Sequence, residues 1–163
     1  MSDITDFYIN GEQNSNNVAL EEILAMDDYE LEKSHHIIQW IFPLHETSKH
    51  SNDAPVLTQE DIDALNDSIL AKKNMEKVLQ RFVEFFGIMP KDTQKISKWC
   101  NNYNHNLLRV TRIIRSLRLF DMNKLAKWFY DEVVEIAQDR RISPVTLEYW
   151  RRSLEEPVTD TLQ

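Results

Sequence analysis

The chain has 163 residues, of which 42% are hydrophobic, and a formal charge of −8. That length suits one domain of roughly 100–200 residues, and a chain of this size buries about 70% of its unfolded surface. A single cysteine, Cys100, excludes an internal disulfide, and the acidic balance disfavours bulk binding to nucleic acid or to an anionic membrane. The charge is uneven: nine of the 27 acids lie in residues 1–32, which hold no Lys or Arg, leaving 18 acids against 19 bases in the body. With only 2 Gly and 5 Pro, breakers are too few for a turn-rich β fold, and long helices are expected. The opening MSDITDFYIN lacks a signal-peptide pattern, and no run approaches the roughly 18 apolar residues of a membrane span. The expected location is cytoplasmic, or nuclear in a eukaryotic source.

In chain order, Phe7–Ile9 reads as a short aromatic segment and Asn10–Asn17 as a loop. Asn17 is placed to cap a helix over 18–26, and Asp27 or Asp28 one over 29–42, ended by Pro43. His45 to Leu57 reads as a long polar loop. Thr58, followed by Glu60 and Asp61, starts a helix that carries Ile62, Leu65, Ile69, Val78, Leu79, Phe82 and Phe86 to Gly87, a C-cap, with a possible break near Ala71–Asn74. Residues 88–98 read as a connection around Pro90. Asn102 or Asn104 caps a helix over 105–120 whose stripe is Leu107, Val110, Ile114 and Leu117. Asp121 caps the next, over 122–140, burying Leu125, Trp128, Phe129, Val133 and Ile136. Ser143-Pro144 opens a last helix ending near Leu154. The fold expected is all-α, a single compact bundle of five to six helices over residues 1–155, with a flexible tail at 156–163.

Chemistry-bearing motifs are mostly missing. Gly11 and Gly87 are too isolated for a phosphate-cradling loop, and no Gly-x-Ser-x-Gly elbow occurs. His45 and His50 are five apart, where the helical zinc-protease motif needs four. His35, His36, His45 and His50 lie in or beside polar stretches and read as ordinary surface histidines, so no metal and no cofactor is assigned. Cys100 has Lys95 and Lys98 nearby, yet reads as an inert half-buried thiol. The distinctive local feature is a basic ladder, Arg109, Arg112, Arg115 and Arg118, following Lys91, Lys95 and Lys98. Three roles stay open for it: pairing with the chain's own acidic segment, recognising carboxylates through bidentate Arg forks, or contacting nucleic acid through Lys91–Arg118.

Several blocks in order are similar to the conserved domain of the opioid growth factor receptor family. They are Phe7-Tyr8-Ile9-Asn10; Asp28-Tyr29-Glu30-Leu31-Glu32 with His35; Ile38-Gln39-Trp40-Ile41-Phe42-Pro43-Leu44; Asn52, Ala54, Pro55, Leu57 and Thr58; Phe85-Phe86-Gly87-Ile88; and His105-Asn106-Leu107-Leu108-Arg109-Val110-Thr111-Arg112-Ile113-Ile114. The resemblance covers about residues 7–150. This chain departs from the pattern at Ile37, where the family has Tyr, and at Leu119-Phe120, where it has Leu-Gly. The family's long repeat-bearing tail is absent, which reads as a compact, stand-alone and bacterial member. The resemblance implies a helical fold without known catalysis; the vertebrate member is described as a receptor for an enkephalin-type growth peptide at the nucleus.

The matched polar residues suggest two rows. Glu32, His35, Gln39 and Trp40 are expected along one helix, and His105, Asn106, Arg109 and Arg112 along another, docking so that their polar edges meet. These eight residues are the candidate binding set for a peptide or protein ligand, with Trp and Arg as anchors. An internal ion pair, Glu32 with Arg109 or Arg112, is the competing structural reading. The alternatives are an enzyme using Glu32, His35 and His105 as acid–base groups, and the nucleic-acid binder already mentioned. No catalytic residue is assigned.

Overall fold

The computed structural model describes residues 2–46 and 54–157, and among these it forms ten α-helices and no strand beyond an isolated bridge between Leu44 and Val56. The all-α expectation holds; the expected five to six helices fall short because several are short or divided. Of the expected tail, residues 158–163 lie outside the described residues, as do His50 and Asn52. Two compact units divide the chain, over described residues 2–79 and 80–157.

The first unit opens with α1, Asp3–Asn10, where a short aromatic segment and the start of a loop are expected. Ser2 caps it by accepting from the Thr5 N–H, and Gly11 ends it at φ 71°. The loop after it turns on Asn14, whose side-chain oxygen accepts from the Asn16 and Val18 N–H groups. Asn17, at φ 62°, therefore does not cap the next helix. That helix is α2, Leu20–Leu24, and Glu22 reaches back to the Ala19 N–H at its start.

The helix expected over 29–42 is two: α3, Asp28–Lys33, and α4, Ile37–Ile41. Asp27 caps α3 reciprocally with Glu30. The division follows from burial. In α3 only Leu31 is buried, whereas all five residues of α4 are, so the chain must turn inward at Ser34–His36. The Thr58 cap forms as expected, reciprocally with Asp61, and starts α5, Gln59–Asp67. The break before α6, Ile69–Phe85, comes at Ser68 rather than near Ala71–Asn74, because the Ser68 hydroxyl accepts from the Ala71 N–H and so begins a new helix.

Tyr8 ties the core of this unit together. Its hydroxyl donates to the Ile41 carbonyl at 2.6 Å and lies 3.7 Å from Met75 Sδ, and its carbonyl accepts from Asn74 Nδ2 at 2.7 Å. Beside it Phe7 and Trp40 pack with ring centroids 5.4 Å apart. The Ser2 hydroxyl donates to Asp61 at 2.6 Å, fastening α1 to α5.

The second unit begins within α6, whose residues from Gln80 belong to it. Gly87 ends α6 at φ 70°; its N–H donates to the Glu84 carbonyl and the Ile88 N–H to Val83, the paired bonds of a Schellman motif. A further helix, α7, Thr93–Trp99, occupies the stretch expected to be a plain connection. Asp92 caps it, accepting from Gln94 and Lys95. Then come α8, Asn106–Leu119, α9, Asn123–Asp139, and α10, Pro144–Glu155. Asn104 supports the start of α8 by accepting from the Asn106 N–H, and Ser143 caps α10 ahead of Pro144 as expected. Asp121 does not cap α9. It stands at φ 57° and closes α8 instead, with the Asp121 N–H on Arg118 and the Met122 N–H on Leu117.

Helices α8, α9 and α10 pack against one another. The buried stripe of α9 is Ala126, Phe129, Val133 and Ala137; Leu125, Trp128 and Ile136 are only half-buried. Small alanines let the neighbouring helices approach closely, which turns α9 from the face its larger side chains suggest.

Candidate functional site

On the first unit the expected row does not lie on one helix. Glu32 is in α3, His35 in the link, and Gln39 and Trp40 in α4. Glu32 is half-buried and His35 exposed. Gln39 and Trp40 are buried, the latter with its ring against Phe7. Trp40 is a core side chain and presents no aromatic anchor to solvent. The exposed aromatic here is Tyr29, with the Lys33 ammonium 4.7 Å from its ring centroid.

On the second unit the row stays on one helix. His105 is exposed at the start of α8, Asn106 and Arg109 are buried, and Arg112 is half-buried. The Arg109 guanidinium lies 6.0 Å and 5.9 Å from the ring centroids of Phe82 and Phe85, a stacked cation in an aromatic wall. Arg118 is occupied otherwise again: its guanidinium donates to the carbonyls of Ser153, at 2.8 Å, and Glu156, capping the C-terminus of α10. Partial burial, then the nearby Arg115 charge, lower its pKa. Of the ladder that looks like a basic surface in sequence, Arg109 is therefore buried and Arg112, Arg115 and Arg118 are half-buried.

Cys100 is fully buried, and its thiol is pushed up to about 11 by desolvation, against the opposing pull of Arg140. This agrees with the inert thiol expected from the sequence, and nearby Lys95 donates to the Glu84 carbonyl. Among the described residues no group of three or more His, Cys, Asp or Glu is placed to hold a metal ion, and no helix is long and apolar enough to cross a membrane.

One surface feature escaped the pattern reading. Trp150 Nε1 on α10 donates to the Leu107 carbonyl on α8 at 3.1 Å, and farther along Arg118 meets Ser153. The two helices thus run in the same sense. Leu108, one residue past the first contact, is 59% exposed, and Tyr149, one residue before it, is 57% exposed. In two right-handed helices running together, a step of +100° on one and −100° on the other point to the same side of the seam. Leu108 lies outside the Leu107, Val110, Ile114 and Leu117 stripe, and that was the available signal. Where it lies relative to Tyr149 depends on how α10 docks.

The described residues define an all-α domain in which one arginine of the ladder stacks on aromatic rings and another caps a helix end. A family model described as "Opioid growth factor receptor (OGFr) conserved region" matches residues 2–159, and the chain belongs to that family. The chain is 31% identical over 117 residues to the mouse opioid growth factor receptor, covering 63% of this chain and 18% of that protein. To the human opioid growth factor receptor it is 32% identical over 116 residues, 63% and 17% respectively. To opioid growth factor receptor-like protein 1 of Xenopus tropicalis it is 35% identical over 113 residues, 61% and 22%. The matched part spans only about a fifth of the length of these relatives. No solved structure matches the chain.

Proposed function

We propose that the chain is a peptide- or protein-binding module, and that on its second unit the binding face is the side of α8 carrying His105, Leu108 and Arg112. The observation that carries this reading is the exposure of Leu108 between those two polar residues: at positions 105, 108 and 112 the three share one helical face. One exposed leucine is ordinary by itself; its place between two polar residues on a single helical face is what supports the reading. The relatives' name, opioid growth factor receptor, supports a binding role of the same kind. On the first unit Glu32 and His35 are the residues of the candidate set that reach the surface. The buried Gln39, Trp40, Asn106 and Arg109 serve as scaffold to the two faces.

The test is selection from a random peptide library displayed on phage, with the chain immobilised, followed by fluorescence anisotropy with the enriched peptide. Saturable binding is expected. His105→Ala together with Arg112→Ala, checked for folding by circular dichroism, is expected to weaken it about tenfold. If no peptide is enriched, the binding reading fails.

A further inference from the structure

Resting on that reading, we infer that the seam between α8 and α10 takes an acidic peptide segment carrying a pair of apolar anchors. Leu108 forms one wall. On α10, Val145 and Tyr149 stand one helical turn apart and are 65% and 57% exposed, forming a short apolar stripe. Isolated exposed apolar side chains are ordinary, but several together along one helix seam mark a contact surface.

The charge around the seam selects the occupant. Within α8, Arg109 is buried and Arg118 caps α10, so the selecting charge lies beyond the helix. At its N-terminal end two loops are bound together: Asn102 accepts from the Ser143 N–H at 2.8 Å and donates to the Arg141 carbonyl, and Arg140 Nε donates to the Cys100 carbonyl. That joint brings exposed Lys98, Arg140 and Arg141 to one end of the seam, with Asp139 the exposed acid beside them. Along α10 each of these acids has an ion-pair partner: Arg151 holds both Glu148 and Glu155, and Arg152 pairs with Glu156 at 3.2 Å, three acids to two bases. Three exposed bases against one acid at that end, on a chain of net charge −8, favour Asp- and Glu-bearing partners, and an arginine fork suits a carboxylate. The apolar stripe then seats side chains such as Leu or Phe spaced by about one helical turn.

The experiment extends the phage selection. The enriched sequences are expected to combine Asp or Glu with a spaced apolar pair. The fluorescein-labelled enriched peptide is expected to lose about tenfold or more in affinity with Leu108→Asp or Tyr149→Asp. Because both sites are exposed, these variants should keep the parent melting temperature. Arg141→Glu, which leaves the apolar pair intact, is expected to weaken binding and flatten its salt dependence. Enriched peptides that are basic, or whose affinity all three variants leave unchanged, overturn the seam while the binding reading stands. Light scattering that shows a dimer abolished by Leu108→Asp also overturns the inference, since a second copy then fills the seam.

Discussion

At Arg141 the backbone stands at φ 57°, a conformation in which a Cβ crowds the following carbonyl. The reason is the end of α9: the Arg141 N–H donates to Gln138 and the Ile142 N–H to Ala137, the same closure that Gly87 makes on α6 and Asp121 on α8. Of the three sites only one carries glycine, so the breaker signal in the sequence finds one helix end and misses two. Arg141→Gly is expected to stabilise the chain by about 0.5–1 kcal/mol, the relief of left-handed strain exceeding the added unfolded-state entropy. Gly87→Ala should do the reverse: its Cβ would sit 2.6 Å from the Asp92 carbonyl and 2.9 Å from Lys95 Cβ, and a loss of about 2 kcal/mol or more follows. Urea titrations of both variants check the pair of signs. Cys100 gives a prediction in pH. Its thiol ionises at about 11 when folded, against an ordinary value of 9.0. The unfolded chain therefore loses that proton first. The contribution is complete below pH 9 and disappears as pH rises to about 11, a loss of roughly 2–3 kcal/mol. Burial raises the Tyr8 phenol in the same direction. Denaturation midpoints from pH 8 to 11 should decline, and Cys100→Ala should flatten the first part of that decline.

At the scale of elements, side chains that look alike in sequence hold different posts. Arg109 and Arg118 belong to the same three-residue ladder, yet one stacks on Phe82 and Phe85 and the other caps α10. Arg118→Ala is expected to leave the Ser153 and Glu156 carbonyls without their donor, to cost about 1–2 kcal/mol, and to speed hydrogen exchange in the last turn of α10. Arg151→Ala, on an exposed pair of ion contacts, should leave the midpoint where it is. Tyr8→Phe tests the tie between α1 and α4; deleting the donor to the Ile41 carbonyl should cost about 1–2 kcal/mol by the same argument, read from a thermal melt. The helix caps at Asp27, Thr58 and Ser143 were legible because capping is local chemistry, set by a side chain and the next few amides. The turn at Ser34–His36 was not. It exists because Ile37, Ile38, Gln39, Trp40 and Ile41 are all buried together, and a helix buried on every side cannot continue one that keeps a face in water. The three-residue ladder misleads for a related reason: spacing tells which residues share a face, but not whether that face meets solvent, rings or another helix end.

For the molecule as a whole, the ladder's fate bears on what the chain touches. With Arg109 buried and Arg118 spent on α10, the bases over Lys91–Arg118 make a weak counterion-releasing surface. No shift of labelled single- or double-stranded DNA or RNA is expected in gel mobility at physiological salt. A shift that falls steeply with added salt would favour a nucleic-acid partner over a peptide. The helical class, the helix caps at Asp27, Thr58 and Ser143, and the family were decided by the sequence alone, since each depends on residue type and on spacing along a few turns. Which members of a polar row reach water, which arginines become structure, and how α8 and α10 pack were decided only by tertiary packing. Those properties depend on what is brought beside a side chain from a distant part of the chain, and helical periodicity carries a direction for each residue but no neighbour.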